Sequence, residues 1–232
     1  NQHDTYKYDG LFPTAYLMYK ANDSHSFTVN VGRRIDRPFM AQLNPFRTVY
    51  SPYSFAQGNP NLKPSFSYNY EFEHAYKDVA VTTLYYRNST NEISQVVIVD
   101  PDQNTQNWIP YNYADSQSYG ISENLNFKLF KWWKMNGAID LYYKKTKGII
   151  PETNYTLDGF TGEFRLTNNL ELNKAKTFLF NHTTNYTTKS IDGISRSRAG
   201  WGTSLGFRAL FLAKKLEFSL NLSNVFKDRA WQ

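Results

Sequence analysis

Ser65–Tyr76 reads SFSYNYEFEHAY. Phe66, Tyr68, Tyr70 and Phe72 alternate with Ser65, Ser67, Asn69, Glu71 and Glu73. A strand sends successive side chains to opposite faces, so this segment has one apolar face and one wet face. The same period recurs along the chain. Expected strands are Leu11–Lys20, Ser26–Arg34, Val79–Asn88, Gln117–Phe130, Met135–Lys145, Phe160–Leu172, Thr177–Thr188, Ala199–Leu212 and Leu216–Phe226. With Ser65–Tyr76 that makes about ten, most near the roughly 9–11 residues of a tilted membrane strand. Their connections alternate between short and long. Lys77-Asp78 reads as a two-residue turn, and Lys131–Lys134 (KWWK), Asn173–Lys176 and Ala213–Lys215 as short turns. Asp36–Pro64, Ser89–Ser116, Thr146–Gly159 and Lys189–Arg198 read as longer loops. Within Ser89–Ser116, Glu92–Asp100 and Gln106–Tyr113 read as strand extensions above a membrane. Alternation with this length asymmetry is the pattern of an all-β, antiparallel transmembrane β-barrel.

Composition agrees. The 232 residues are 17% aromatic, with 18 Tyr and 17 Phe, yet the mean hydropathy is -0.61. Both hold if every second residue faces lipid and the rest face water. The longest apolar clusters, Val96–Val99 and Ala209–Ala213, are strand-sized, far short of the roughly 18–20 residues of a membrane helix. Backbone groups in hydrocarbon must pair internally, which leaves the closed barrel. Ten strands would leave two open edges, so the chain is expected to be a piece of a larger barrel. The polar start, Asn1–Gly10, has no apolar signal region, so the chain is expected to begin inside a longer precursor.

Other function classes find little support. Cysteine is absent, which removes disulfides, thiolate nucleophiles and Cys-based metal sites. The net charge of +6 is scattered in singles and pairs, unlike a nucleic-acid footprint. His3, His25, His74 and His182 are dispersed, and no Ser/His or Asp/His set nominates an enzyme. Asp100–Asn104 (DPDQN) begins like a calcium loop. Thr105 stands where Gly is required and Tyr111 where Glu is, so a polar turn is expected. No cofactor is expected.

Arg33–Pro64 reads RRIDRPFMAQLNPFRTVYSPYSFAQGNPNLKP. It resembles the RRI-x-RP, LNPF and GNP-x-LKP signature of TonB-dependent outer-membrane receptors, in the form of Bacteroidota outer-membrane β-barrel proteins. Arg37, Pro38, Asn44, Pro45, Gly58, Asn59, Pro60, Lys63 and Pro64 carry the match. Ser118–Glu123 (SYGISE), KWWK and Leu220–Lys227 (LNLSNVFK) resemble later family segments in the same order. The resemblance implies residence in the bacterial outer membrane and energised uptake of a scarce extracellular ligand. It places residues 1–232 in the C-terminal part of a 22-stranded barrel, without the plug domain, the first barrel half and the last strand. The implied partners are outer-membrane lipid and lipopolysaccharide, the plug and remaining strands, and TonB acting through the plug. A non-importing role, as subunit or client of an assembly, secretion or surface-lipoprotein complex, stays open, and a surface lipoprotein or other complex subunit is then a further partner.

Site expectations follow from faces and loops. Inward positions that would meet the plug and the ligand route are Asn30, Arg34, Glu71, Glu163 and Arg165, with Thr28, Asn69 and Asn169 beside them. The loop aromatics Tyr50, Tyr53, Phe55, Trp108, Tyr111 and Tyr113 either contact ligand or pack the loops on one another. The cluster Arg33, Arg34 and Arg37 pairs with an anionic ligand, with plug carboxylates, with lipopolysaccharide phosphates or with the inward Glu71 and Glu73.

Overall fold

The computed structural model describes residues 10–150, 153–192 and 195–226. In chain order the strands are β1 (Thr14–Lys20), β2 (His25–Asp36), β3 (Thr48–Ser51), β4 (Ser54–Ala56), β5 (Ser65–Tyr76), β6 (Ala80–Asp100) and β7 (Thr105–Phe130). They continue with β8 (Trp133–Ile150), β9 (Thr153–Glu171), β10 (Phe178–Thr187), β11 (Ser190–Asp192), β12 (Ser195–Ser197), β13 (Gly200–Phe211) and β14 (Leu216–Leu222). One helical turn, α1 (Met40–Leu43), precedes β3. Among the described residues no helix is long and apolar enough to cross a membrane. Ten strands form one wall in the order β1-β2-β5-β6-β7-β8-β9-β10-β13-β14, every neighbouring pair antiparallel.

The register sorts the side chains into two faces. On one, Val31, Tyr70, Tyr86, Tyr119, Tyr143 and Phe160 stand opposite one another across six strands. Three ring pairs lie close in this row, with centroids 6.1 Å apart for Tyr70–Tyr86, 5.4 Å for Tyr119–Tyr143 and 5.0 Å for Tyr143–Phe160. The next row on that face holds Val29, Phe72, Leu84, Ile121, Leu141 and Gly162. At the short-turn end Phe130, Trp132 and Trp133 stack on one another. An apolar band between two aromatic belts is the lipid-facing surface of a membrane barrel.

Burial makes the same point. Phe72, Leu84, Ile121, Leu141, Phe207 and Leu220 belong to the apolar side, and all but Phe207 are large exposed hydrophobics. The buried apolar residues Leu62, Val96, Ile109, Tyr113, Ala114 and Ile191 all lie toward the long-loop end, leaving Ala209 within the wall. The wall therefore has no core of its own. Lipid is its second layer.

Several boundaries differ from the sequence expectation. The turn after β5 has three residues, Lys77 to Val79, with Lys77 at φ 50° and Val79 N–H donating to the Tyr76 carbonyl at 3.1 Å. The KWWK turn shrinks to Lys131 and Trp132. Trp133 begins β8, where its Nε1–H donates to Asn168 Oδ1 at 2.9 Å. Thr146–Gly159 is not a loop: β8 and β9 stay paired from Thr146↔Leu157 to Ile150↔Thr153. The expected extensions are present, since β6 runs 21 residues and β7 26 residues, with a bulge between Ser89 and Glu92. Lys189–Arg198 contains the small hairpin β11–β12.

Length asymmetry assigns the short turns to the periplasm and the extended hairpins to the cell exterior. An epitope tag inserted at Asp102, in the β6–β7 tip, should bind antibody on intact cells. A tag at Asp78 should bind only after permeabilisation, and the reverse pattern would invert the topology.

Candidate luminal and extracellular site

The wet face carries the inward residues expected from the alternation. One row runs Asn30, Glu71, Tyr85, Gly120, Tyr142 and Thr161, and the next Thr28, Glu73, Thr83, Ser122, Asp140 and Glu163. These side chains pair laterally. Asn30 Nδ2 donates to Glu71 Oε2 at 3.1 Å, Tyr85 Oη to Asp140 Oδ1 at 2.9 Å, and Tyr142 Oη to Glu163 Oε1 at 3.1 Å. Arg87 Nε donates to Asn69 Oδ1 at 2.7 Å and Arg165 Nε to Asn185 Oδ1 at 2.8 Å. Gly120 makes the Tyr85 contact possible. Tyr85 lies across its strand to reach Asp140, and a Cβ at Gly120 would stand 2.8 Å from the Tyr85 Oη. The result is an open cavity of about 530 Å³ bordered by Glu71, Glu73, Asp140 and Glu163, with Arg87 and Lys144 as its cations. With Glu92 the cavity offers five carboxylates beside two cations.

The basic cluster is divided by the pleat. Arg33 points to the apolar face, where its guanidinium carbon lies 5.4 Å from the Phe12 ring centroid, 5.0 Å from Phe66 and 5.4 Å from Tyr68. Arg34 lies on the luminal face opposite Ser67, and Arg37 lies exposed beyond the end of β2.

The signature segment is a loop clamped onto the β6–β7 hairpin. Gly58 N–H donates to the Asn44 carbonyl and Asn59 N–H to the Gln42 carbonyl, both at 2.7 Å. Asn59 Nδ2 reaches the Pro110 carbonyl at 3.1 Å. Asn112 holds Lys63 at both ends: the Lys63 N–H donates to Asn112 Oδ1, and Asn112 Nδ2 donates to the Lys63 carbonyl, each at 2.7 Å. β4 adds in parallel to β7, with Phe55 opposite Asn107. Leu62 and Pro64 are buried under the loop. Gly58 is required because any Cβ there would lie 2.5 Å from the Asn44 oxygen, below real contact distances. Gly58→Val should therefore detach the loop. Trypsin cleavage after Arg47 of inserted barrel is expected to rise severalfold, with barrel insertion unchanged. An unaltered digestion pattern would mean the clamp is dispensable.

The six candidate loop aromatics separate. Tyr50 (69% exposed) and Tyr53 (59%) face solvent. Phe55 lies under Arg47, whose guanidinium carbon is 4.4 Å from the ring centroid. Trp108 is half-buried, and its carbonyl accepts the Gln57 N–H at 3.1 Å. Tyr113 is buried in a cluster with Val96 and Ala114, against which Tyr111 and Tyr155 pack. Burial, with the nearby Tyr113 and Glu92, holds the Tyr155 phenol above its usual pKa. Sequence reasoning did not single out Phe39, Met40, Phe46 and Val49, which extend the exposed apolar surface beside Tyr50 and Tyr53. Asp100–Asn104 is the expected polar turn, with Asp100 Oδ1 accepting the Asp102 and Gln103 N–H groups at 3.0 and 3.1 Å.

An apolar outer face, a polar luminal face and extended hairpins on one side define the wall of an outer-membrane barrel. The model of the outer membrane protein beta-barrel family matches residues 1–232, and the chain belongs to that family. Its place is the bacterial outer membrane. The fold is similar to the siderophore receptor PirA from Pseudomonas aeruginosa, with a TM-score of 0.63 and 16% identity over 94% of this chain and 36% of that one. It is also similar to the ferric enterobactin receptor PfeA from the same organism, solved with enterobactin, with a TM-score of 0.60 and 17% identity over 94% and 35%. The chain thus spans about a third of the length of these solved receptors. No curated protein sequence matches it.

Proposed function

We propose that this chain is the C-terminal part of the barrel of a TonB-dependent outer-membrane receptor that imports a scarce extracellular ligand. One observation carries the reading: the polar luminal wall continues into a clamped exterior loop that exposes Tyr50 and Tyr53. Ligand captured at the loop would pass along the wall formed by Asn30, Glu71, Glu163 and Arg165, with Arg34 at its outer end. A plug domain, the remaining strands and TonB acting on the plug complete the machine in this proposal. The Arg37–Pro64 signature supports a receptor of the Bacteroidota type. Arg33, held among rings on the outer face, would meet lipopolysaccharide phosphate in this reading.

The similarity to PirA and PfeA makes ferric siderophores the first ligands to try. The test is uptake of radiolabelled ferric enterobactin and a ferric hydroxamate by cells whose gene for this protein is deleted, then restored. Restored uptake should stop when the proton gradient is dissipated, and a Tyr50→Ala, Tyr53→Ala double variant should lower binding to whole cells. Uptake that survives loss of the gradient removes the TonB-dependent reading. Restored cells that take up no tested ligand, while the barrel copurifies with a surface lipoprotein, would favour the non-importing assembly role.

A further inference from the structure

Two ionisable side chains interrupt the middle of the lipid-facing band, on strands three apart. Glu123 lies half-buried on the outer face of β7, in the register row of Ile139, Phe164 and Tyr186. It accepts from Thr82 Oγ1 at 2.5 Å and has no salt bridge among the described residues. His182 lies half-buried on the outer face of β10, in the row of Asn168 and Leu205. The Trp133 Nε1–H donates to Asn168 Oδ1 at 2.9 Å, which leaves the amide nitrogen of Asn168 for His182. That contact, Asn168 Nδ2 to His182 Nδ1, is long at 3.4 Å, whereas His182 Nε2 lies 2.9 Å from Thr184 Oγ1. The imidazole Nδ1 is therefore weakly held, and Asn168 Nδ2 keeps a second hydrogen.

Glu123 and His182 sit at one depth. Glu123 is four residues below Tyr119 and His182 four below Tyr186, and both tyrosines belong to the exterior aromatic ring. Strand tilt gives the same answer. From β7 to β10 the register row crosses three strand spacings, about 14 Å, which at a tilt near 40° climbs roughly 9 Å toward the exterior. The four residues from Tyr186 back to His182 descend about 10 Å along the tilted strand. Between the two groups, Gly137 on β8 stands opposite Leu166 on β9, so the same level carries a notch and an exposed ridge. Ionisable groups in hydrocarbon pair with one another, and a separation of about 14 Å puts this acid and this imidazole out of each other's reach within one copy.

We propose that this face binds a second copy of the same barrel, about a two-fold axis that runs along the membrane normal between β8 and β9. Such an axis exchanges the two flanks of the face and keeps every depth. Glu123 of each copy then meets His182 and Asn168 of the other, accepting from the Asn168 amide and from the imidazole Nδ1. Each acid–imidazole pair shares one proton, so it carries no net charge whichever side holds it. Leu166 of each copy enters the Gly137 notch of the other, where the missing side chain lets the two walls approach.

The test is native mass spectrometry of the full barrel protein that carries this chain, extracted from outer membranes into copolymer nanodiscs without detergent. The unmodified protein should give dimers. Glu123→Leu and His182→Leu each remove both pairs, and each should lower the dimer-to-monomer ratio roughly tenfold or more. Coexpressed under different tags, these two variants should recover mixed dimers, because Glu123 of one copy still meets His182 of the other. Gly137→Phe should leave monomers without altering either polar group, since a Cβ there has its nearest neighbour, Leu125 Cβ, at 3.6 Å and the ring would fill the notch. All variants should keep the heat-modifiable gel shift of folded barrel, and Gly137→Phe decides if a leucine variant fails to fold. Unmodified protein that is monomeric, dimers that persist in either leucine variant alone, or the absence of mixed dimers would each overturn the proposal. A mass of one barrel with a different polypeptide in place of the second copy would overturn it too.

Discussion

Leu141→Arg is expected to destabilise the inserted barrel by about 1–3 kcal/mol, the penalty for a cation facing lipid between the midplane and the interface. Leu141 lies in the row of Val29, Phe72, Leu84, Ile121 and Gly162, directly below the aromatic row at Tyr143. Its partners in that row, Ile121 and Gly162, offer an arginine no side-chain acceptor, and the nearest carboxylate is the diagonal Glu123. Asp140→Asn should be nearly silent by comparison. It faces the lumen, and asparagine retains an oxygen for the Tyr85 hydroxyl now bound to Asp140 at 2.9 Å. Urea unfolding of the barrel in thin-bilayer vesicles reads both. Equal effects at the two positions would remove the distinction between the faces.

Residues 1–232 expressed alone should not yield a stable monomer. Within the described residues β1 and β14 are wall edges, each paired on one side only, and every residue of both strands is exposed. Open edges are not tolerated in lipid, and the apolar outer face is not tolerated in water. Expression should give inclusion bodies, or detergent particles lacking the heat-modifiable gel shift of closed barrels. A monodisperse, heat-modifiable monomer would show that these strands close by themselves. The case for a larger receptor would then lose its physical support.

The membrane wall was legible because one face must satisfy lipid and the other water, which writes itself as period two. Phe66, Tyr70, Leu141 and Leu220 share the apolar face, and Glu71, Glu163 and Arg165 share the polar one. Above the membrane that constraint lapses. Residues 146–150 pair with 153–157 through their backbones, a pairing that leaves no alternation to read, so a paired hairpin read as a loop. The signature loop is held by Asn112, Asn59 and backbone groups, and such clamps leave no periodicity. Tyr113 read as one of six equivalent loop aromatics, because its burial depends on Val96 and Tyr155 arriving from other strands. The separation of Arg33 from Arg34 needed only the alternation already in hand, applied to two adjacent basic residues.

The central claim is that each wall strand separates lipid from a water-filled lumen. Single cysteines at positions 138 to 143, in a protein with no native cysteine, test it with a water-soluble maleimide on the folded barrel in lipid. Positions 138, 140 and 142 should label quickly, and 139, 141 and 143 should be protected. Fast labelling at 139, 141 and 143 with protection at 138 and 140 would reverse the faces and contradict the account.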